Sequence, residues 1–252
     1  MKKSIIVTII IAITLLFTQL ACANLGNIEL PKLTTGSGTI ATDTRSVKDF
    51  DQIELNGAGE MIIIQGSTEA LVIEAEDNII DNITSEVVNG RLEIGYDADS
   101  WLDRILPTKP IKYTITVKAL ERLEINGAVQ LKNDMLNVES FELIINGAGQ
   151  FDFDFLTAEY LEVDISGGAS VKMAGAVEDQ DVVINGAGNY DAEDLATKNT
   201  EITFNGAGNA SVWATDTLDM NINGAGNIDY YGTPQVSQSI TGLGNISHKG
   251  DK

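Results

Sequence analysis

The sequence is poor in the side chains on which most catalytic and metal sites depend. It has one cysteine, Cys22, and one histidine, His248, among 252 residues. A single cysteine excludes a disulfide within the chain, and a Ser-His-Asp set or a Cys and His metal cluster is not recognisable. We therefore expect no enzymatic activity, no cofactor and no metal site.

Positive charge is also scarce. Lys and Arg total 16 against 37 Asp and Glu, which gives a formal net charge of -21. Nucleic-acid binding relies on clustered Lys and Arg that release counterions from the phosphates. We therefore exclude nucleic acid as a partner and expect an acidic surface, which leaves cations, basic proteins and neutral glycans as candidate partners.

The longest apolar run stands at the start of the chain, from Ile5 to Phe17, after Lys2 and Lys3. This is the layout of a secretory signal peptide. The run is too short for a comfortable membrane-spanning helix, which needs ~20 apolar residues. We predict a signal peptide over residues 1–21, of the lipoprotein type, and export to the cell envelope.

Cys22 directly follows that segment. Ala21 and Cys22 match the end of a bacterial lipoprotein signal, whereas Gln19 and Leu20 stand where Leu and a small residue are usual. In the alternative reading the signal is cut after Ala23 and the cysteine is lost. If Cys22 is lipidated, its acyl chains anchor the protein to a membrane more stably than a single chain does.

Glycine, in contrast, is plentiful and regularly placed. A marker residue before Gly-Ala or its variant recurs at steps of 20, 20, 19, 20, 18 and 18 residues, and an isolated earlier copy starts at Asn56. We predict that each marker and the glycine after it form one member of a stacked corner column: Asn56, Gly57, Asn126, Gly127, Asn146, Gly147, Ser166, Gly167, Asn185, Gly186, Asn205, Gly206, Asn223, Gly224, Thr241 and Gly242.

Apolar residues alternate on both sides of each marker. The residues one and three positions before it are mostly large and apolar, as Ile165 and Val163 are before Ser166. Another apolar residue follows five positions after it, as Val171 does. Alternation with a period of two is typical of a strand with one buried face. Each unit therefore reads as strand, glycine-rich corner, strand and polar return.

A unit of about twenty residues buries its apolar face only when it stacks on similar units. We predict an all-β protein: a right-handed parallel β-helix, or solenoid, with about twenty residues per coil, because parallel crossovers are right-handed. Asn and Gly tolerate positive φ at the corners, and Gly-Ala-Gly keeps each corner thin enough to stack on its neighbours without side-chain collision. Stacked Asn side chains are suited to hydrogen-bonded ladders. An antiparallel sandwich is the alternative, but it does not explain the constant interval.

We divide the chain into the signal peptide, a tether over residues 22–36 and a single β-helix domain over residues 37–252. Strand-like runs between Asn56 and Asn126 are interpreted as further coils with degenerate corners, which would bring the total to roughly ten coils at the usual strand spacing. The segment "DADSWLDRILPTKP" predicts an irregular insertion near residues 97–110.

Other local patterns have weaker functional interpretations. Gly-Ala-Gly lacks the third glycine and the helix of a phosphate-binding loop. Acids soon after Gly-x-Gly are similar to calcium-binding β-rolls, but in the wrong register. Five aromatic residues would be able to stack on sugars if they shared a face: Trp101, Tyr190, Trp213, Tyr230 and Tyr231.

The stretches "GSGTIATDTRSVKDFDQIELNGAGEMIIIQG" and "NIDYYGTPQVSQSITGLGNI" resemble the beginning and end of the "putative auto-transporter adhesin, head GIN domain" family of bacterial envelope proteins. The resemblance implies a right-handed β-helical domain on an exported protein, often a lipoprotein, with no catalytic residues to carry over. We expect a non-enzymatic surface protein that presents an acidic solenoid face to an unknown glycan or protein. The alternatives are a carbohydrate lyase or hydrolase on a β-helix scaffold and a periplasmic sensing component.

Overall fold

The computed structural model describes residues 33–96 and 104–252, and nearly all of its regular structure is β-strand. The first ten strands lie at Leu33–Thr35 (β1), Ile40–Arg45 (β2), Gln52–Gln65 (β3), Ala70–Glu76 (β4), Ile83–Val88 (β5), Arg91–Tyr96 (β6), Arg104–Leu106 (β7), Lys112–Val117 (β8), Arg122–Asn133 (β9) and Leu136–Asn137 (β10). The remaining eight lie at Ser140–Ile145 (β11), Ala148–Ile165 (β12), Gly168–Ile184 (β13), Ala187–Phe204 (β14), Ala207–Ile222 (β15), Ala225–Tyr231 (β16), Gln235–Ile240 (β17) and Asn245–His248 (β18). A 3-10 turn lies at Ile80–Asn82.

Strands β9 to β18 form a solenoid of about six turns, with about 20 residues per coil. Each coil pairs in parallel with the next at equivalent positions, so that Val163 lies beside Val182 and Val182 beside Ile202. The predicted solenoid and its coil length are confirmed. The pairing is parallel between the successive coils, which contradicts the sandwich alternative.

The alternating residues form one continuous core. The side chains at the two apolar positions before every corner except the last are fully buried, including Val163, Ile165, Ile202 and Phe204. Burying a large apolar side chain contributes roughly 1.5–3 kcal/mol, and here each one packs on its equivalents in the coils above and below. The hydrophobic column is therefore shared between coils, and no coil of the described solenoid has a complete core of its own.

The structure between the first two glycine corners differs from the prediction of about ten coils. Strand β3 pairs directly with β9, although 70 residues separate their corners. Within the described part of the intervening segment only β6 and β8 run parallel to β3, and they pair with its two halves. Strand β4 runs antiparallel to β2 and β8, and β5 runs antiparallel to β6. The predicted row of degenerate coils thus amounts to one partial coil and an antiparallel cap.

The physical reason for this difference lies in a turn. Asn89 and Gly90 have φ values of 51° and 83°, and Val88 pairs with Arg91 across them. Two consecutive residues with positive φ form the tight turn of a two-residue β-hairpin, for which Asn-Gly is the preferred sequence. The alternation of apolar residues is the same in parallel and antiparallel strands, so only this dipeptide signalled the reversal.

The cap closes the N-terminal end of the core. Val47, Phe50, Ile79 and Ile80 are buried there against the first coil. The carboxylate of Glu76, also buried, accepts hydrogen bonds from the backbone N–H groups of Gly38 and Thr108 at 2.6 and 2.8 Å. These contacts join the start of the domain to the C-terminal part of the predicted insertion.

The corner glycines stack on one another at very short range. A Cβ atom added to Gly127 would lie 1.8 Å from the carbonyl oxygen of Gly57, and one added to Gly147 would lie 1.9 Å from that of Gly127. The same contact recurs at the later members of the column, where the distances are 1.8 to 2.1 Å: Gly167, Gly186, Gly206, Gly224 and Gly242. Any side chain at these positions would overlap the backbone of the preceding coil.

This contact confirms one of the two reasons expected for the glycines, a corner thin enough to stack, and the φ values correct the other. Among the described residues the only non-glycine residues with positive φ are Asp49 and Asn89, so none of the corner asparagines adopts that conformation. Within the column, only Gly167 has a φ in the region that favours glycine, at 153°. Close approach of backbones, and not positive φ, therefore requires glycine at most of these corners.

Several predicted boundaries fall at the edge of the described residues. The signal peptide, Cys22 and most of the tether lie outside them, as do residues 97–103 of the predicted insertion. Leu33–Thr35, within the range predicted as tether, is a strand that pairs in parallel with Arg104–Leu106. The division of the chain into signal peptide, tether and domain stays a prediction.

We predict that Gly186→Ala destabilises the protein, whereas Gly168→Ala does not. The new Cβ at Gly186 would lie 2.1 Å from the carbonyl oxygen of Gly167, and forcing the coils apart should cost ~1–3 kcal/mol or more, as overpacking does. Gly168 replaces the alanine of the repeated phrase, and its added Cβ meets nothing within 4 Å. Its substitution should leave stability unchanged or raise it by ~0.4–1 kcal/mol.

Urea unfolding of the two variants, followed by circular dichroism, measures both effects. Equal midpoints for Gly186→Ala and the unmodified protein would contradict the stacked-corner explanation. A large loss of stability in Gly168→Ala would contradict it equally, because that position has free space.

Candidate functional site

The predicted corner column lies along one edge of the solenoid, where its asparagines bond to one another. The Asn126 amide donates to Asn56 at 3.0 Å, and that of Asn146 donates to Asn126 at 2.9 Å. Ser166 interrupts this ladder by donating to Asp164. The ladder resumes with Asn205 donating to Asn185 and Asn223 donating to Asn205, which confirms the predicted hydrogen-bonded ladder.

A second ladder runs beside the first one. Asn209 donates to Asn189 at 3.2 Å, and Asn227 donates to Asn209 at 3.1 Å. The amide groups of both ladders are thus used in contacts between coils. The corner edge is suited to holding the solenoid in register, and the acidic side chains elsewhere are better candidates for binding.

The outward face of the strands before the corners has a row of carboxylates. It has one acid in each of five successive coils, at positions that pair directly across neighbouring strands. We call this set the acidic row: Glu142, Glu162, Asp181, Glu201 and Asp219. Adjacent parallel strands lie ~4.8 Å apart, so the row presents negative charge at a regular short interval.

The acids of the row affect one another's protonation. The pKa of Glu162 lies above its usual value because partial burial disfavours the charged form and because Glu142, Asp181 and Asp164 add like charge. Partial burial also raises the pKa of Asp181. Like charges directly opposite on neighbouring strands are destabilising. A partner with positive charge would relieve this repulsion.

A polar cleft of about 420 Å³ lies at the N-terminal end of the row. It is lined by Gln52, Arg91, Glu121, Arg122, Ser140, Glu142, Tyr160 and Glu162. Arg122 pairs with Glu142 and with Glu124, and Arg91 pairs with Glu54 and Glu93. Both guanidinium groups are therefore already paired with carboxylates, so they do not make the cleft positively charged. The cleft continues the acidic face.

Tyr160 lies between this cleft and the following coils. Its side chain is 40% exposed. Its pKa is raised by partial burial and by the nearby carboxylates of Glu162 and Asp181. It is thus a neutral ring with a hydroxyl group at the edge of a negatively charged surface, and such a ring is able to stack on an apolar or cationic group.

A shallow groove of about 800 Å³ follows the next bend of the coils. Small side chains line it: Thr157, Ala176 and Ala196 stand at paired positions of successive coils, and Thr215 follows in the next coil. Beside them stand Glu139, Glu159, Glu178 and Lys198. Lys198 pairs with Glu178 at 2.6 Å. The groove thus runs along the solenoid, with a weakly polar floor and an acidic rim.

The acidic row was not recognised from the sequence, although a simple signal was present. Each of its members stands four residues before a corner marker, as Glu162 stands before Ser166 and Asp181 before Asn185. The apolar positions of the alternation report the core. The polar position four residues before the marker repeats at the same interval, and it predicts this row.

The aromatic residues proposed for sugar stacking do not all share one exposed face in the described structure, although Trp213 and Tyr231 are paired on adjacent strands. Tyr190 is buried and accepts a hydrogen bond from Gln180, so its interpretation as a binding residue is wrong. Tyr230 stacks on His248 with ring centroids 4.8 Å apart, and Tyr231 donates to Glu193. Trp213 is partly buried, and Trp101 lies outside the described residues.

Metal clusters and membrane-spanning helices are absent from the described part of the chain. Over residues 33–96 and 104–252, no group of three or more His, Cys, Asp or Glu side chains is arranged to hold a metal ion. The same residues contain no helix with the length and apolar character needed to cross a membrane.

Comparison with known proteins identifies a matching family. The model of the family described as "Putative auto-transporter adhesin, head GIN domain" matches residues 49–234. No curated protein matches the chain.

Solved structures of several bacterial proteins have similar folds. A crystal structure described as a putative adhesin from Bacteroides fragilis is 27% identical, with a TM-score of 0.79, and the match covers 85% of this chain and 99% of that one. A putative adhesin from Parabacteroides merdae has 21% identity and a TM-score of 0.64 over 86% of this chain and 99% of that one. A protein from Parabacteroides distasonis, described as a putative lipid binding protein, has 23% identity and a TM-score of 0.62, with the same coverage. The last two likenesses show the fold alone.

We predict that Glu162→Gln stabilises the protein at pH 7. The raised pKa means that the folded protein favours the protonated form, so the charged carboxylate lowers stability above that pKa. Removing the charge should add roughly 0.2–1 kcal/mol, the size of one cross-strand charge pair. The gain should shrink as the pH falls and vanish below the usual Glu pKa of 4.5.

Thermal unfolding at pH 7 and at pH 4 measures this change. Asp134→Asn is the control, because it removes the same charge from a site that pairs with Lys132 at 3.1 Å, and it should not raise the melting temperature. A gain of equal size for Glu162→Gln at both pH values would contradict the explanation.

Proposed function

We propose, since the chain belongs to the putative auto-transporter adhesin, head GIN domain family, that the protein is a non-enzymatic adhesin of the cell envelope. We propose further that the acidic row and the adjoining cleft form its binding surface. The family and the adhesin-described structures support a surface role, and the position of the binding surface comes from the charges of this chain.

The observation that carries this proposal is the repetition of one carboxylate per coil. A rigid solenoid keeps Glu142, Glu162, Asp181, Glu201 and Asp219 in register at a spacing of ~4.8 Å. A partner with several positive groups can contact several members of such a row at once. Each contact also reduces the repulsion between neighbouring carboxylates, which further stabilises the complex.

The partner class that fits this surface is a basic protein or another polymer with positive groups. A neutral glycan would use the exposed ring of Tyr160 and the polar groups of the cleft, with little contribution from the distant members of the row. The two classes therefore differ in salt dependence, because screening weakens contacts between exposed charges.

The proposed location depends on the N-terminal segment. We propose that residues 1–21 direct export and that lipid attached to Cys22 anchors the chain, with the following residues serving as a tether. The sequence pattern before Cys22 supports this proposal. The intact mass of the membrane-extracted protein tests it: acyl chains on an N-terminal Cys22 are expected, and a chain that begins at unmodified Asn24 would contradict it.

The binding proposal predicts that loss of charge from the row weakens adhesion. The exported protein is applied to arrays of basic proteins and neutral glycans, and the strongest ligand is measured again with the triple variant Glu162→Gln, Asp181→Asn, Glu201→Gln. We expect roughly tenfold slower association, because clustered charge steers oppositely charged partners, and a weaker dependence on salt.

The matched control removes three carboxylates from another face. Glu60→Gln, Asp134→Asn and Asp154→Asn change the net charge equally, and these residues pair with lysines outside the row. The control should associate at nearly the original rate. Equal losses in both triple variants would contradict a role for the acidic row.

Non-enzymatic function is tested on the same preparations. Incubation with a panel of polysaccharides should produce no new reducing ends. Reproducible turnover that disappears with substitution of carboxylates would favour the alternative of a carbohydrate-processing enzyme.

A further inference from the structure

The C-terminal end of the solenoid has two open strand edges. Strand β17 pairs only with β15, and β18 pairs only with β16, among the residues that the structure describes. Every residue of β17 is exposed. The backbone N–H and C=O groups on the outer edges of both strands are therefore available to another strand, as at any unprotected sheet edge.

Apolar side chains of the final coil are exposed at this end. Val236 pairs with Leu218 and Ile240 pairs with Ile222, which places both at positions that are buried in the preceding coils. In the last coil Val236 is 41% exposed and Ile240 is 44% exposed, and Leu243, at the corner, is 85% exposed. The hydrophobic column thus ends at a surface that no further coil covers in the described structure.

The opposite end of the molecule also has exposed apolar side chains, such as Ile40 and Val88 of the cap, but its core column is covered. The antiparallel cap covers the column there, and Phe50, Ile79 and Ile80 are buried beneath it. Its terminal strand β2 has Asp43 and Arg45, which form an ion pair at 2.9 Å. Charged residues on an edge strand oppose pairing with another sheet. In the described structure the core column is therefore exposed at the C-terminal end and covered at the N-terminal end.

Charge is distributed in the same asymmetric way. The chain has 37 acidic residues, but none occurs between Asp229 and Asp251. The final coil, which includes both open strands, therefore has no carboxylate. Two copies of the chain, each with a net charge of -21, would repel each other if they met through other, acidic parts of the solenoid.

We propose that the occupant of the open end is a second copy of this chain, joined end to end through β17 and β18. Because the cap covers the core column at the N-terminal end, the exposed columns of two copies can meet only at their C-terminal ends. An interface made from the same surface on both copies is closed by two-fold symmetry. The product is a dimer that does not extend into a filament.

The dimer would continue the hydrophobic column through the interface. Val236, Ile240 and Leu243 of each copy lose their contact with water, and the outer edges of the final strands gain main-chain hydrogen bonds. The acidic rows remain exposed on both halves, so the dimer would present two copies of the proposed binding surface. The inference itself rests on the open end and does not depend on the proposed function.

Sedimentation equilibrium of the exported protein tests this proposal. A density-matched non-ionic detergent keeps any lipid at the N terminus from driving association. We expect a mass that rises with concentration from one chain to two chains and then remains constant. Salt should strengthen the association by screening the repulsion between the two acidic copies.

The test variant is Val236→Glu with Ile240→Glu, which places four carboxylates at the interface of a dimer. Both residues are substantially exposed in the single chain, so the fold should persist, as circular dichroism will show. The matched control is Ile62→Glu with Ile64→Glu, which adds the same charge at two residues of β3 that are each 47% exposed. We expect at least tenfold weaker dimerisation for the first variant and unchanged dimerisation for the control.

Three outcomes would overturn the proposal. The first is a monomer at all concentrations of the unmodified protein. The second is association that both variants weaken equally or that neither weakens. The third is a mass that keeps growing beyond two chains, because it would show an open, head-to-tail contact in place of the closed one.

Discussion

The structure depends on the close contact of backbones at one glycine corner per coil. In each coil the carbonyl oxygen of one corner glycine occupies the space that a Cβ atom of the next glycine would need. This contact allows the coils to turn at the same place without a side chain between them. The strands on either side are then held in register, and their apolar positions align into a shared core. The asparagine ladders add hydrogen bonds along the same edge.

The same register that aligns the core also aligns the charged residues. A position that is acidic in each repeat becomes a row of carboxylates when the repeats stack, and the protein bears the resulting repulsion at Glu162 and its neighbours. A repeated surface of this kind suits contact with a partner along the length of the solenoid. In the described structure the last coil has no further coil stacked on it, and this end of the column is the surface that we propose for dimerisation. Both proposed interactions thus arise from a single structural rule.

Much of the solenoid was predictable from the sequence because its repeats are nearly exact in length. The spacing of the glycine phrase predicted the stacking, and the alternation around it predicted residues such as Val163 and Ile165 as core. The N-terminal cap was predicted poorly, since alternating residues do not distinguish parallel from antiparallel strands. The hairpin at Asn89 and Gly90 had a clear local signal, although the strand-like runs around it were interpreted as further coils. Of the two reasons predicted for the corner glycines, close stacking is confirmed at positions such as Gly127 and Gly147, whereas positive φ occurs in the column only at Gly167.

The binding surface was less predictable than the fold. The composition indicated an acidic surface, but only the pairing of strands shows that Glu142, Glu162 and Asp181 lie side by side. Burial of Tyr190 likewise depends on the inward register of its coil, which a search for aromatic residues ignores. Core residues keep the same chemical type from repeat to repeat, so they can be recognised in the sequence. A binding surface is assembled by many coils, so it can be recognised only once the coils are stacked.

The most direct test of the stacked corners is a series of distances between spin labels. Ala128, Ala187, Ala207 and Ala225 are exposed alanines of the repeated phrase. In a chain with Cys22→Ala, three double variants combine Ala128→Cys with Ala187→Cys, Ala207→Cys or Ala225→Cys. Pulsed electron paramagnetic resonance should give separations that increase by ~4.8 Å per coil, so the pairs that span three, four and five coils should differ by this step. Distances that do not increase with the number of intervening coils would contradict the stacked solenoid.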